Sequence, residues 1–193
     1  MRLEERQEPG HHRGSLRSWS VEKWGAALYG DPCGGCGFDW SLTPREAIRI
    51  VEELPARCRE LLEGHTGHER HPGLAWNPAA YVSHVTDNLR NWAERLVGAR
   101  LSGAVGVPGY DPDLLAHARH YNEIALAAAL WSLERATVAW SESVAAALDD
   151  GVVLQHATRG AQRAEDVARN NAHDGYHHVR DIERILEHAR NHC

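Results

Sequence analysis

Near the C-terminus, His173-Asp174-Gly175-Tyr176-His177-His178 places three imidazoles and a carboxylate within two helical turns. Donors at i and i+4 share one face of a helix, the spacing a divalent ion needs from a single helix. Two such pairs compete, His173/His177 and Asp174/His178. The apolar pattern around them separates the two. At about 100° per residue, Val167, Ala168, Ala172, Val179, Ile182, Ile185, Leu186 and Ala189 gather on one side of the helix. By the same geometry His178 falls about 50° from the centre of that side and Asp174 about 90°. His173 and His177 fall about 150–170° away, where they are expected to face solvent. A site inside a helical core is built from residues that reach inward, so the expected pair is Asp174/His178.

A third donor is offered by His84, on the flank of another apolar helical face formed by Tyr81, Val85, Leu89, Trp92 and Leu96. Two nitrogens and one oxygen from the protein leave coordination positions for water or substrate, the pattern of catalytic rather than structural metal sites. The plain alternatives are a hydrogen-bonded histidine at position 84 and an ordinary ion pair between Asp174 and His178.

Cys33-Gly34-Gly35-Cys36 is half of a zinc knuckle, and the sequence holds no second CxxC. Three readings stand. The pair is redox-active, although the βαβ context of thioredoxin-like motifs is missing. Or it gives two thiolates to a second metal or structural site completed by histidines from elsewhere. Or it is a glycine-rich turn that packs Phe38 and Trp40 on the bundle, its cysteines acting as small buried apolar groups. The turn reading is taken first and the zinc role second. Among the other histidines, His11, His12, His65, His68, His71, His188 and His192 fall in tails or loops and are expected to be solvated. His117 and His120 read as exposed, and His156 lies in a loop without signal.

These residues need elements to position them. Thr43-Pro44-Arg45-Glu46 is a helix start, with a capping threonine, proline at the first helical position and glutamate three residues after the cap. The first helix carries Ile48, Val51, Leu54, Cys58, Leu61 and Leu62 at helical spacing to Gly64, with Pro55 expected to bend or split it. Asn77-Pro78 opens the second helix, and Gly98 is expected to stop it. A third is expected from Asp113 to about Leu148, with Leu126, Leu130, Leu133, Thr137, Trp140, Val144 and Leu148 as a near-heptad stripe. The fourth runs from about Ala164 to Ala189. Strand signals are nearly absent, apart from a short extended piece at Val152 to Leu154. Four long amphipathic helices imply an all-α four-helix bundle over residues 43–193, preceded by a tail and CxxC loop over residues 1–42.

Composition excludes several classes. The 193 residues carry a net charge of −6, and the arginines are interleaved with acids, which is unlike a nucleic-acid-binding surface. No stretch approaches the roughly 18 apolar residues of a membrane span. Met1 to Gly14 is charged and lacks the apolar core of a secretory signal. Four cysteines make no disulfide framework, so a cytoplasmic protein with reduced thiols is expected. Lys23 is the one lysine among 21 basic residues, a bias typical of GC-rich bacterial coding.

Two segments carry a family resemblance. They are Trp76-Asn77-Pro78-Ala79-Ala80-Tyr81-Val82-Ser83-His84-Val85-Thr86-Asp87 and Asn171-Ala172-His173-Asp174-Gly175-Tyr176-His177-His178-Val179-Arg180-Asp181-Ile182. On these the chain resembles the DinB-like superfamily, including the metal-binding domain of mycothiol-dependent maleylpyruvate isomerase, over roughly residues 40 to 190. Aligning on Asp181-Ile182 implies His178 as the last ligand, Asp174 as its partner and His84 as the third. Relatives carry histidine or glutamate where Asp174 stands, and aspartate has the shorter reach. The resemblance implies a four-helix bundle, often a homodimer, with zinc, nickel or a similar divalent ion. It further implies activation of a low-molecular-weight thiol such as mycothiol, for S-transfer or isomerisation of a small molecule. Helix-three residues His120, Tyr121 and Glu123 are candidate lining. The alternative function is a non-catalytic metal-binding or stress-related bundle.

Overall fold

The Thr43 cap works as its chemistry predicts in the computed structural model, which describes residues 22–192. Its Oγ accepts from the Glu46 amide, and the Glu46 carboxylate accepts from the Thr43 amide at 2.8 Å. Helix α2, Pro44–Leu61, follows, after the short α1 at Ala26–Tyr29. Ala47, Val51, Leu54 and Cys58 form its buried stripe. Pro55 does not split it, because the helix runs through that buried proline to Leu61. The expected polar tail over residues 1–20 lies outside the described residues, as do His11, His12 and Cys193.

Helix α3, Pro78–Ser102, is capped by the Asn77 side chain, which accepts from the Ala80 amide at 2.8 Å. It passes through Gly98 and stops only at Gly103, whose left-handed conformation (φ 68°) suits a residue without Cβ. Gly98 faces open space, where a Cβ would meet no atom within 4 Å. Helix α5, Leu126–Asp149, buries Leu133, Ala136, Trp140 and Val144, and α6, Ala164–Asn191, buries Val167, Ala172, Val179, Ile182 and Ile185. The strongest pairings run round the bundle in the order α2, α6, α3, α5, so the sequential helices α2 and α3 stand diagonally. The all-α four-helix bundle is therefore present.

The long third helix is not continuous. Helix α4, Pro112–Ala118, and a single 3-10 turn at Tyr121–Glu123 precede α5. The break has a tertiary cause. The Asn77 amide donates to the Asn122 side chain at 3.2 Å, and the Asn77 side-chain amide donates to the Asn122 carbonyl at 3.1 Å. Tyr121 and Arg119 donate to the buried carboxylate of Asp87 on α3. A segment whose His120 is held in the left-handed region (φ 52°) and whose Asn122 carbonyl is taken by Asn77 does not continue a helix.

Three short strands also occur among the described residues. The hairpin β2 (Val153–His156) and β3 (Gly160–Arg163) is antiparallel, and β1 (Gly106–Val107) joins β2 in parallel. Only Val152 to Leu154 had an extended signal, and the pairing depends on residues far apart in sequence. Among the described residues no helix is long and apolar enough to cross a membrane.

Gly175 sits on α6 where α2 crosses it, and a Cβ there would run into Leu54 Cδ1. Gly175→Val should destabilise the fold by roughly 1–3 kcal/mol through overpacking. Leu54→Ala in the same chain should recover part of that loss. Urea denaturation of the two single variants and the double variant checks this; strict additivity would contradict the contact.

Candidate metal centre

Helices α3 and α6 are neighbours in the bundle, and His84, Asp174 and His178 meet between them. His84 Nε2 lies 3.5 Å from Asp174 Oδ1, and His178 Nε2 lies 3.6 Å from the same oxygen. One donor atom from each residue falls within 4.8 Å of the others. These separations are too long for hydrogen bonds. They match the roughly 3.4 Å between two donors that each stand about 2.1 Å from a tetrahedral ion. The donor set therefore fits a divalent metal.

Neighbouring side chains aim the donors. Asn88 Nδ2 donates to Asp174 Oδ2 at 2.8 Å, which leaves Oδ1 between the two histidines. Asp181 Oδ2 lies 3.0 Å from His178 Nδ1, so that nitrogen carries the proton and Nε2 faces His84 and Asp174. Trp76 packs on His84 with ring centroids 5.0 Å apart, and Tyr81 on His178 at the same distance.

The charges follow from this packing. Burial works against ionisation of Asp174, yet His84 and His178 beside it hold the carboxyl well below the usual carboxylate range. Burial likewise disfavours the His178 cation, but the carboxylates of Asp174 and Asp181 overcome it and raise His178 to about 9. Without metal His178 is a cation held between the carboxylates of Asp174 and Asp181, and a metal bound here would take the place of its Nε2 proton.

His84, Asp174 and His178 also face a cavity of about 700 Å³. Trp24, Trp92 and Tyr110 supply aromatic wall, and Arg95 and Arg159 supply positive charge. Arg95 is stacked over Trp92 at 4.8 Å and donates to the Pro108 carbonyl. His156, which carried no signal as a loop residue, is on β2 and lines the cavity. Sequence reasoning had no means of finding this wall, because it is assembled from α1, α3, the β1 region and the hairpin. His120, Tyr121 and Glu123 do not line it. Tyr121 is buried behind Trp76 and bonded to Asp87, while His120 and Glu123 face solvent.

The expectation that His173 and His177 face solvent is overturned. His173 is 5% exposed, enclosed by Tyr29, Phe38 and Trp40, and His177 is half-buried. The helical wheel weighed only the bundle's own core. The segment carrying Cys33 and Cys36 lays a second apolar layer on this flank of α6. Burial pushes the Cys36 thiol up, which disfavours a nucleophilic redox pair.

The helical arrangement defines the class of fold, a four-helix bundle with a site between two of its helices. No family model matches the chain, and no curated protein matches it. Among solved structures its fold is similar to that of YfiT from Bacillus subtilis, described as a probable metal-dependent hydrolase with an unusual four-helix bundle topology. The TM-score is 0.66 at 18% identity, over 76% of this chain and 87% of that one. This likeness shows the fold.

Two outcomes test the centre. Because His178 titrates near 9 without metal, it is mostly protonated at neutral pH and must lose that proton to ligate. Apparent affinity for zinc should therefore rise by up to about tenfold per pH unit and level off above about 9. Titrations at several pH values check this, and a pH-independent affinity would contradict it. Asp181→Asn should weaken metal binding by roughly 10–100-fold through loss of the His178 orienter.

Proposed function

We propose that this chain is a DinB-like protein whose His84, Asp174 and His178 hold a divalent ion, zinc by preference, that activates water or a low-molecular-weight thiol toward a small molecule. The observation that carries this reading is the meeting of three aimed donors at the edge of a cavity of about 700 Å³. The motifs around His84 and His178, and the bundle fold shared with YfiT, support the superfamily assignment. The mycothiol-dependent isomerase type is the finer form of the same proposal.

The chain's own residues define the rest. Two imidazoles and one carboxylate leave the cavity side for an exchangeable ligand, the arrangement of a catalytic site. A divalent ion bound there lowers the pKa of a water or thiol and polarises an electrophile. Asp174 keeps its charge at neutral pH, and Asn88 fixes which of its oxygens serves as donor. Trp76 shields the histidines on one side and leaves approach from the cavity. The volume lies within the usual range for small-molecule sites. Aromatic walls with Arg95 and Arg159 favour a substrate with an apolar body and an anionic group. Hydrolysis and thiol transfer both suit this site, and the YfiT likeness favours including hydrolysis.

Metal titration of the full chain beside His84→Ala/His178→Ala checks the ligands: the variant should lose one equivalent, and equal content in both would overturn the assignment. Turnover is then measured on anionic esters and amides, and on electrophiles with and without added thiols. Metal-dependent turnover that the double variant loses is the expected result. Metal bound at these residues with no turnover across that panel would favour the non-catalytic reading.

A further inference from the structure

Four donors converge on the other flank of α6. Cys33 Sγ lies 3.2 Å from His173 Nε2 and 3.9 Å from His177 Nδ1. One donor atom from each of Cys33, Cys36, His173 and His177 falls within 4.8 Å of every other. None of the four belongs to the His84/Asp174/His178 set. We propose that they bind a second ion, zinc by its ligand chemistry, which clasps the CxxC loop to α6 and has a structural role.

The donor set favours this. A CxxC and an HxxxH supply two sulfurs and two nitrogens, the complement of a closed tetrahedral zinc site. Thiolate ligands select zinc against magnesium, calcium or manganese. With Zn–S near 2.3 Å and Zn–N near 2.1 Å, neighbouring donors stand roughly 3.3–3.8 Å apart. The two sulfur–nitrogen distances bracket that range with only small adjustment. Cys33, Cys36 and His173 are each at most 8% exposed and His177 is half-buried, and four protein donors would fill a tetrahedral site without an open position.

The loop is shaped for the task before any ion arrives. The Gly37 amide donates to the Cys33 carbonyl at 2.7 Å, the Cys33 amide to Phe38 at 2.9 Å, and the Gly34 amide to Tyr29 at 2.9 Å. These bonds turn the chain so that both sulfurs point at α6. Gly35 lies close against the His177 ring, where a Cβ would come within 2.8 Å of Cε1. That close approach keeps the imidazole beside the sulfurs. Cysteines serving only as small apolar filling would not need two ring nitrogens beside them.

The clasp has a mechanical consequence. Cys33 and His173 are 140 positions apart, and a link that closes so long a loop restricts the unfolded chain strongly. It also fixes the cavity wall, because Tyr29 packs on His173 at 4.6 Å and both line the cavity.

Cobalt(II) replacement in the full chain tests the proposal. The wild-type protein should take up two equivalents and show thiolate-to-cobalt charge-transfer absorption with tetrahedral d–d bands. His84→Ala/His178→Ala should lose one equivalent and keep the charge-transfer bands. Cys33→Ser/Cys36→Ser should lose the other equivalent together with those bands. Failure of the first centre alone would remove only the equivalent lacking them, so the two sites fail separately. Should the cysteine variant not fold, the wild-type spectrum decides alone. Absence of thiolate bands in reduced wild-type protein loaded with excess cobalt would overturn the second site. So would a Cys33–Cys36 disulfide in protein purified under reducing conditions.

Discussion

An α-helix sets residues i and i+4 on one stripe and turns the next residue about 100° away. On α6 that constraint makes His173/His177 and Asp174/His178 two adjacent polar stripes on the flanks of one apolar face. Buried polar groups must be partnered, so each stripe recruits its own cover. Helix α3 brings His84, with Asn88 behind it, to the second stripe. The chain before α2 folds over the first and brings Cys33 and Cys36. The rest of the bundle serves to hold α6 in position while both covers are applied.

The ends of that arrangement were legible because they are local. Thr43 with Glu46, and Asn77 with the Ala80 amide, start helices by side-chain hydrogen bonds that depend on residues within one turn. The side of α6 on which Asp174 and His178 meet His84 was legible too, because the apolar stripe of α6 is long enough to define an inward direction. Its converse was not. Judging His173 and His177 exposed assumes that the bundle core is the only apolar body on α6. Phe38, Trp40 and Tyr29 supply another, and nothing in their local sequence says which helix they will cover. The break in the third helix was hidden for a similar reason. Its apolar pattern permits a helix, but Asn77 and Asp87, on distant parts of the chain, claim the hydrogen-bonding groups around Tyr121.

The buried carboxylates explain why α3 takes so much of the fold's specificity. Asp87 faces Arg119 at 3.0 Å and accepts from the Tyr121 hydroxyl, so the 3-10 turn is tied to the middle of α3. The same hydrogen bond raises Tyr121 strongly above its ordinary value, after burial has done so. Such a network tolerates one arrangement of the α3–α5 connection, since removing any member leaves a charge or donor without a partner. Trp76 packs against both Tyr121 and His84, so this connection also sets the floor of the candidate metal centre.

Asp181 links the two stripes. Its Oδ2 lies 3.0 Å from His178 Nδ1 and 3.9 Å from His177 Nε2, and Arg184 donates to its other oxygen. One carboxylate thus faces the outer nitrogen of a histidine in each donor set. It cannot give both imidazoles its shortest contact through the same oxygen without moving, and it is closer to His178. A strong hydrogen bond to a histidine makes the opposite nitrogen a better donor. The His84/Asp174/His178 set therefore has the larger share of that support, which would suit a site holding an ion with only three protein ligands. The Cys33/Cys36/His173/His177 set offers four donors, three of them buried, and would need less.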